Sequence, residues 1–111
     1  MPSKAPGERY RYIAFSIEGK PTFARNDFLD SLVHVARGTP LANSFRITVF
    51  EGNFGILKVP HLLKEEAIAV LSRMDSIRGI ACRISTLRTS GTIKTLKVKY
   101  RSRIGRNEER F

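Results

Sequence analysis

Apolar and polar positions along this chain repeat with two different periods. From Arg9 to Gly19, Ile13, Phe15 and Ile17 fall on one side, and Tyr10, Tyr12, Ala14 and Ser16 on the other. A period of two is that of a strand, whose successive side chains point to opposite faces. Gly19-Lys20-Pro21 stops it. Beyond Asn26, whose side chain suits an N-cap, Phe28, Leu32, Val35 and Ala36 recur at i, i+4, i+7 and i+8. That spacing is helical; Leu29 and Val33 widen the stripe, and Gly38 ends it. Alternation returns with Phe45, Ile47 and Val49 against Arg46, Thr48 and Phe50. Glu51-Gly52-Asn53 is a turn, and Phe54–Val59, closed by Pro60, is the second arm of a hairpin. Leu63, Ala67, Val70, Leu71 and Met74 then share one face of a helix over residues 61–74. Its acids, Glu65 and Glu66, lie in the first turns and Arg73 in the last, as the helix dipole favours. A fourth strand is expected over Ile80–Leu87, with Ile80, Cys82 and Ile84 on one side and Arg83 and Ser85 on the other.

The order β-α-β-β-α-β predicts an α+β fold of the ferredoxin-like, RNA-recognition-motif-like class: a four-stranded antiparallel sheet with both helices on one face. The opposite face then needs a cover or a ligand. The segment after the fourth strand fits two patterns. Ile93, Leu96, Tyr100 and Ile104 form a helical stripe, while Leu96, Val98 and Tyr100 also alternate with Lys97, Lys99 and Arg101. A helix over 91–101, capped by Thr89 or Ser90, is the favoured assignment. Its apolar stripe would pack on the sheet's edge or open face, and Lys94, Lys97 and Arg101 would point outwards. Residues 1–8, with two Pro, a Gly and a Ser, read as a flexible lead-in, residues 9–102 as one domain with its C-terminal helix, and residues 103–111 as a basic tail.

Length and composition change this picture little. The 111 residues amount to one domain, able to bury roughly two thirds of their unfolded surface. At 41% hydrophobic and 27% charged, a packed core is expected. Charge changes it more. Twenty Lys and Arg against ten Asp and Glu leave a net +10. Residues 1–76 carry only +2 of this and residues 77–111 carry +8, with nine cations and no acid from Arg78 to Arg106. Such density repels itself unless a polyanion is present, and nucleic-acid phosphates are the fitting counter-charge. A solvated basic segment without a partner is the plainer alternative.

Enzymatic chemistry finds no support. His34 and His61 lack metal-ligand spacing, Cys82 falls at a core-facing strand position where a free thiol behaves as a small hydrophobe, and no phosphate-cradling Gly-rich loop is present. One Cys, an N-terminus without an apolar stretch and no apolar run of about 20 residues lead to the expectation of a cytoplasmic protein without a membrane span. The sheet also lacks a base-stacking platform. Strand three has Phe54-Gly55, but Ile56 and Val59 stand where further aromatics would be, and Tyr10 and Tyr12 suit a half-covered sheet as well as a stacked base. The junction Leu87-Arg88-Thr89-Ser90-Gly91-Thr92-Ile93-Lys94 offers hydroxyls, a Gly and flanking cations. It suits a phosphate at a helix start or, equally, a simply capped helix.

Three stretches carry a resemblance: Arg9-Tyr10-Arg11-Tyr12-Ile13-Ala14-Phe15, Gly55-Ile56-Leu57-Lys58-Val59-Pro60 and, most specifically, the Ser-Gly-Thr-Ile-Lys junction at residues 90–94. In order and spacing, over roughly residues 9–100, they resemble the archaeal ribonuclease P protein component 2 family. The resemblance implies an accessory subunit of the endoribonuclease that removes the 5′ leader from precursor tRNA. In that family catalysis belongs to an RNA that holds the magnesium ions, and the protein binds no cofactor. The partners implied are the ribonuclease P RNA, a barrel-type protein subunit and, indirectly, precursor tRNA. The candidate RNA-binding residues are then Arg9, Arg11, Arg83, Arg88, Ser90, Thr92, Lys94, Lys97, Lys99, Arg101, Arg103 and Arg106; no catalytic or metal-binding residue is nominated. Two other readings stay open: a ribosomal or other structural RNA-binding protein on a similar fold, and a small-ligand regulatory domain, for which the +8 C-terminal third has no evident use.

Overall fold

The computed structural model describes residues 9–19 and 21–104. Its elements, in chain order, are β1 (Tyr10–Glu18), α1 (Arg25–Ala36), β2 (Arg46–Glu51), β3 (Phe54–Pro60), α2 (Lys64–Arg73), β4 (Ser76–Ile77), β5 (Ile80–Ala81), β6 (Arg83–Ser90) and α3 (Ile93–Lys99). Short 3-10 turns at His61–Leu63 and Arg101–Arg103 lead into α2 and follow α3. One antiparallel sheet has the order β2-β3-β1-β6, which is the ferredoxin-like topology that the pattern predicts. Ile13, Phe15 and Ile17 of β1 and Leu57 and Val59 of β3 meet Phe28, Leu32 and Ala36 of α1 and Ala67, Val70 and Leu71 of α2 in one buried cluster. Both helices therefore cover the same face. Each fully buried Ile, Leu, Val or Phe side chain contributes about 1.5–3 kcal/mol of apolar burial.

Aromatic packing organises this core. Phe28 stacks on Phe15 with centroids 5.0 Å apart and on Phe50 at 5.2 Å. The Phe15 ring lies directly over Gly55. A Cβ at Gly55 would stand 2.5 Å from Phe15 Cζ and 2.9 Å from the Val49 carbonyl oxygen, so only glycine fits there. The β2–β3 turn runs through Gly52 and Asn53, both with positive φ (58° and 63°), as a tight primed hairpin turn requires. Asn53 also accepts a bond from Phe23 N–H and donates one to the Pro21 carbonyl, each 2.8 Å long, which ties the hairpin to the β1–α1 connection.

Several expectations are corrected. Asn26 does not cap α1: the helix begins at Arg25, and Ala24 occupies the cap position without a side-chain acceptor. The fourth strand is displaced. Ile80-Ala81 pairs with Ser76-Ile77 as a separate small hairpin, and the sheet strand runs Arg83–Ser90 instead. Arg78 and Gly79 make that hairpin's turn at φ 53° and 78°. Ile80 is consequently exposed, while Ile84 is buried in the core and Cys82, half-buried between β5 and β6, packs against it. Two bulges break the simple alternation. Ile47 pairs with Leu57 and Val49 with Ile56, which leaves Thr48 unpaired, its hydroxyl donating to the Ile56 carbonyl at 3.1 Å. Ile47 therefore joins the α1–α2 side, while Val49 turns to the opposite face. In β6, Leu87 is likewise left between Thr86 and Arg88, which pair with Phe15 and Ala14.

The face away from α1 and α2 is partly covered by α3. Leu96 is buried there with Ala14, Val49, Phe54, Ile56 and Ile104, flanked by Tyr12, Ile93 and Tyr100. The doubly patterned segment is thus helical, but shorter than 91–101 at both ends. Arg103, expected to open the tail, is the last residue of the 3-10 turn, and Ile104 is buried. Residues 1–8 and 105–111, and with them the expected lead-in, most of the tail and Arg106, lie outside the described residues.

Candidate nucleic-acid interface

Strand register sets the side chains of the α3-covered face in rows. Tyr12 pairs with Ser90 of β6 and with Lys58 of β3, and Lys58 pairs with Arg46 of β2. The row Arg46–Lys58–Tyr12–Ser90 therefore crosses the whole sheet where β6 hands over to α3. In the next row Val49, Ile56 and Ala14 lie under α3, and Arg88 ends the row, exposed at the sheet's edge.

The candidate residues divide by position. Ser90 and Thr92 stand at the β6–α3 junction. Ser90 Oγ accepts from Thr92 N–H at 3.2 Å, and the Thr92 and Thr95 hydroxyls are 2.8 Å apart. This is a local serine turn ahead of the helix: Thr92 occupies the cap position of α3 without a side-chain cap bond, so neither Thr89 nor Ser90 caps it as expected. Arg11 joins the junction: its Nη1 would be 3.5 Å from a Cβ at Gly91, and it donates to the Tyr10 carbonyl at 3.2 Å. Lys94 is exposed and Lys97 half-buried on α3, and Arg101 is exposed at the start of the 3-10 turn that follows it. The Lys99 ammonium lies 5.9 Å from the Tyr100 ring centre. Arg103 lies over the Phe54 ring at 5.1 Å, with Tyr100 tilted against the same ring at 5.3 Å.

Two residues stand apart. Arg9 is exposed at the start of β1, its carbonyl accepting from His61 N–H at 2.9 Å. Arg83 lies at the far end of β6, paired with Glu18 across the sheet and seven residues from Ser90, about 23 Å along an extended strand. It does not join the others. Conversely, Arg46 and Lys58, which are not among the candidates, face each other on neighbouring strands. Each reads in sequence as the polar position of a half-buried strand, and only the register shows that they face one another.

The remaining chemistry is structural. Arg78, inside the acid-free stretch, pairs with Asp27 of α1 at 3.2 Å on the surface. Burial, and secondarily the Asp75 carboxylate, push the Cys82 thiol above its usual range, so it stays protonated near neutral pH. Among the described residues no group of three or more His, Cys, Asp or Glu side chains could hold a metal ion, and no helix is long and apolar enough to cross a membrane.

The fold and the charge thus define a class: a basic ferredoxin-like protein with an added helix over its second sheet face. The sequence model of the Rpp14/Pop5 family matches residues 11–101. The chain belongs to that family, and it is an accessory protein subunit of ribonuclease P. No curated protein matches it significantly by sequence. Among solved structures, a chain of the yeast ribonuclease MRP determined by electron cryomicroscopy is similar, with a TM-score of 0.63 and 14% identity over 89% of this chain and 95% of that one. At that identity the likeness shows the fold.

Proposed function

We infer that this chain binds the ribonuclease P RNA as a non-catalytic subunit of the archaeal type and supports that RNA in removing the 5′ leader from precursor tRNA. Membership of the Rpp14/Pop5 family over residues 11–101 carries the reading. The likeness to a chain of ribonuclease MRP fits an assembly of RNA and protein subunits. In this reading the RNA holds the magnesium ions and performs the cleavage. The protein supplies cations at fixed positions: Lys94 and Lys97 on α3, Arg101 just after it, Arg11 at the Ser90-Gly91-Thr92 junction, and Arg88 at the sheet edge. Contacts of this kind neutralise phosphates and set the register of the protein on the RNA. A second, barrel-type protein subunit is the expected partner, and precursor tRNA is engaged only through the assembly.

Affinity purification of the tagged protein from its source cells tests the assignment. Enrichment of the ribonuclease P RNA is expected. Recovery with ribosomal RNA, and not with the ribonuclease P RNA, contradicts it.

A further inference from the structure

We propose that the open depression at the β2–β3–β1 end of the sheet binds the sugar–phosphate backbone of a single RNA strand, with Arg46, Lys58 and Tyr10 as its main contacts. This contact surface rests on the RNA-binding reading and deepens it, because none of the cations or hydroxyls assigned to the junction or to α3 lies in it.

The depression measures about 310 Å³, and Tyr10, Asn43, Ser44, Phe45, Arg46, Lys58 and Pro60 lie along it. Two of these are cations and none is an acid. Arg46 and Lys58 stand directly opposite each other on neighbouring strands. Facing pairs of this kind hold their Cβ atoms about 4.5–5.5 Å apart, and like charges there are destabilising. Among the described residues neither has a carboxylate within ion-pair distance. The Lys58 ammonium sits 4.3 Å from the centre of the Tyr10 ring, a contact that holds the cation in place without neutralising it. The sheet thus keeps two facing positive charges at one end of a groove, and a bound phosphate resolves their repulsion.

Size and surroundings select the ligand. The volume is at the low end of enclosed small-molecule sites, which run from about 300 to 1,000 Å³, and the depression is open to solvent. A backbone segment passing through fits better than a molecule that must be engulfed. The same row continues through Tyr12 to Ser90, with Arg11 close by at Gly91. Three inter-strand steps of about 4.8 Å make this a track of roughly 14 Å across the sheet. On its inner side α3 covers the Val49–Ile56–Ala14 row, and Tyr100 and Arg103 close off Phe54. A strand of RNA is therefore confined to the strand-end row, where it meets charge and the half-buried rings of Tyr10 and Tyr12, while Phe45 packs against the core.

The test uses the full chain and a fluorescein-labelled twelve-nucleotide oligouridine. Arg46→Gln/Lys58→Gln is expected to weaken binding at least fivefold. Its log–log salt slope should fall by about 1.4, two phosphates at roughly 0.7 each for single strands. In parallel, 4-thiouridine in the oligonucleotide should cross-link to the peptide that contains Tyr10 and Tyr12. The variant's melting temperature should equal or exceed the wild type's, because a facing like-charge pair is removed. Unchanged affinity, cross-links confined to the α3 peptide, or a lowered melting temperature at unchanged affinity each overturn the proposal. So does capture of an acidic peptide in place of the oligonucleotide. If the wild type binds the ribonuclease P RNA but not oligouridine, this site falls and the RNA reading stands; if it binds neither, both fall.

Discussion

Gly55 and Phe15 show how a single position is dictated. The ring of Phe15, stacked on Phe28, occupies the space above Gly55, and the Val49 carbonyl closes the remainder. Gly55→Ala therefore forces either the ring or the β2 backbone to move. Overpacking of this kind costs about 1–3 kcal/mol. Urea denaturation of the variant should show a loss in that range without a change in the denaturant slope. From the chain alone, Phe54-Gly55 reads as a fragment of a base-stacking strand. Its glycine instead answers to the core on one side, while Phe54 is buried under Tyr100 and Arg103 on the other. Arg46 and Lys58 were illegible for a related reason. A polar strand position looks the same in sequence whether it faces solvent, a partner cation or a ligand. Which residue it faces depends on register, and register here depends on the bulge at Thr48.

Elements were read with uneven success, and the reasons are physical. β1, α1, the β2–β3 hairpin and α2 carry long, consistent periods, and their expected and observed positions agree to within a few residues. The fourth strand slipped because Ile80-Ala81 continues an apolar alternation into Ile84, whereas a turn at Arg78-Gly79 diverts it into a two-residue pairing. Arginine seldom adopts positive φ, so that turn leaves a faint trace in sequence. α3 is the instructive case. Seven residues are too few to form a stable helix by themselves, so α3 exists because Leu96 and its neighbours are packed on the sheet. Leu96→Ala should cost about 2–5 kcal/mol, the range for deleting a fully buried leucine side chain. It should also weaken the cover over Phe54 and loosen the side chains of Lys94 and Arg101. Thermal unfolding measures the first effect. Amide hydrogen exchange across 93–104 measures the second, and protection there equal to the wild type's would separate α3 from its anchor.

At the scale of the whole molecule, the described cations of the basic C-terminal third fall in different environments, Arg88 being exposed at the edge of β6. Arg78 pairs with Asp27 of α1, and Arg83 lies opposite Glu18 at the far end of the sheet, apart from the other candidate residues. Ser90, Thr92 and Arg11 gather at the start of α3, Lys94 and Lys97 lie on it, and Arg101 follows it in the 3-10 turn. Lys99 and Arg103 lean on aromatic rings. The charge count in the sequence indicated a polyanion, and the fold decides which cations can meet it together. For an interface neutralising about six phosphates, the affinity for the ribonuclease P RNA should fall with salt at a log–log slope of about four to five. Replacing Lys94, Lys97 and Arg101 together by Ala should lower both the slope and the affinity while leaving the melting temperature within a few degrees. An unchanged slope would move the interface elsewhere on the surface.

The central claim, that this chain helps an RNA catalyst and does no chemistry of its own, is tested most directly by reconstitution. Precursor-tRNA cleavage by the ribonuclease P RNA is measured at limiting magnesium, with and without this protein and a barrel-type partner subunit. Correct 5′-leader removal should rise when the protein pair is added, and it should vanish when the RNA is omitted, whatever the protein concentration. Cleavage by the protein without the RNA, or no gain on adding the pair, would contradict the account.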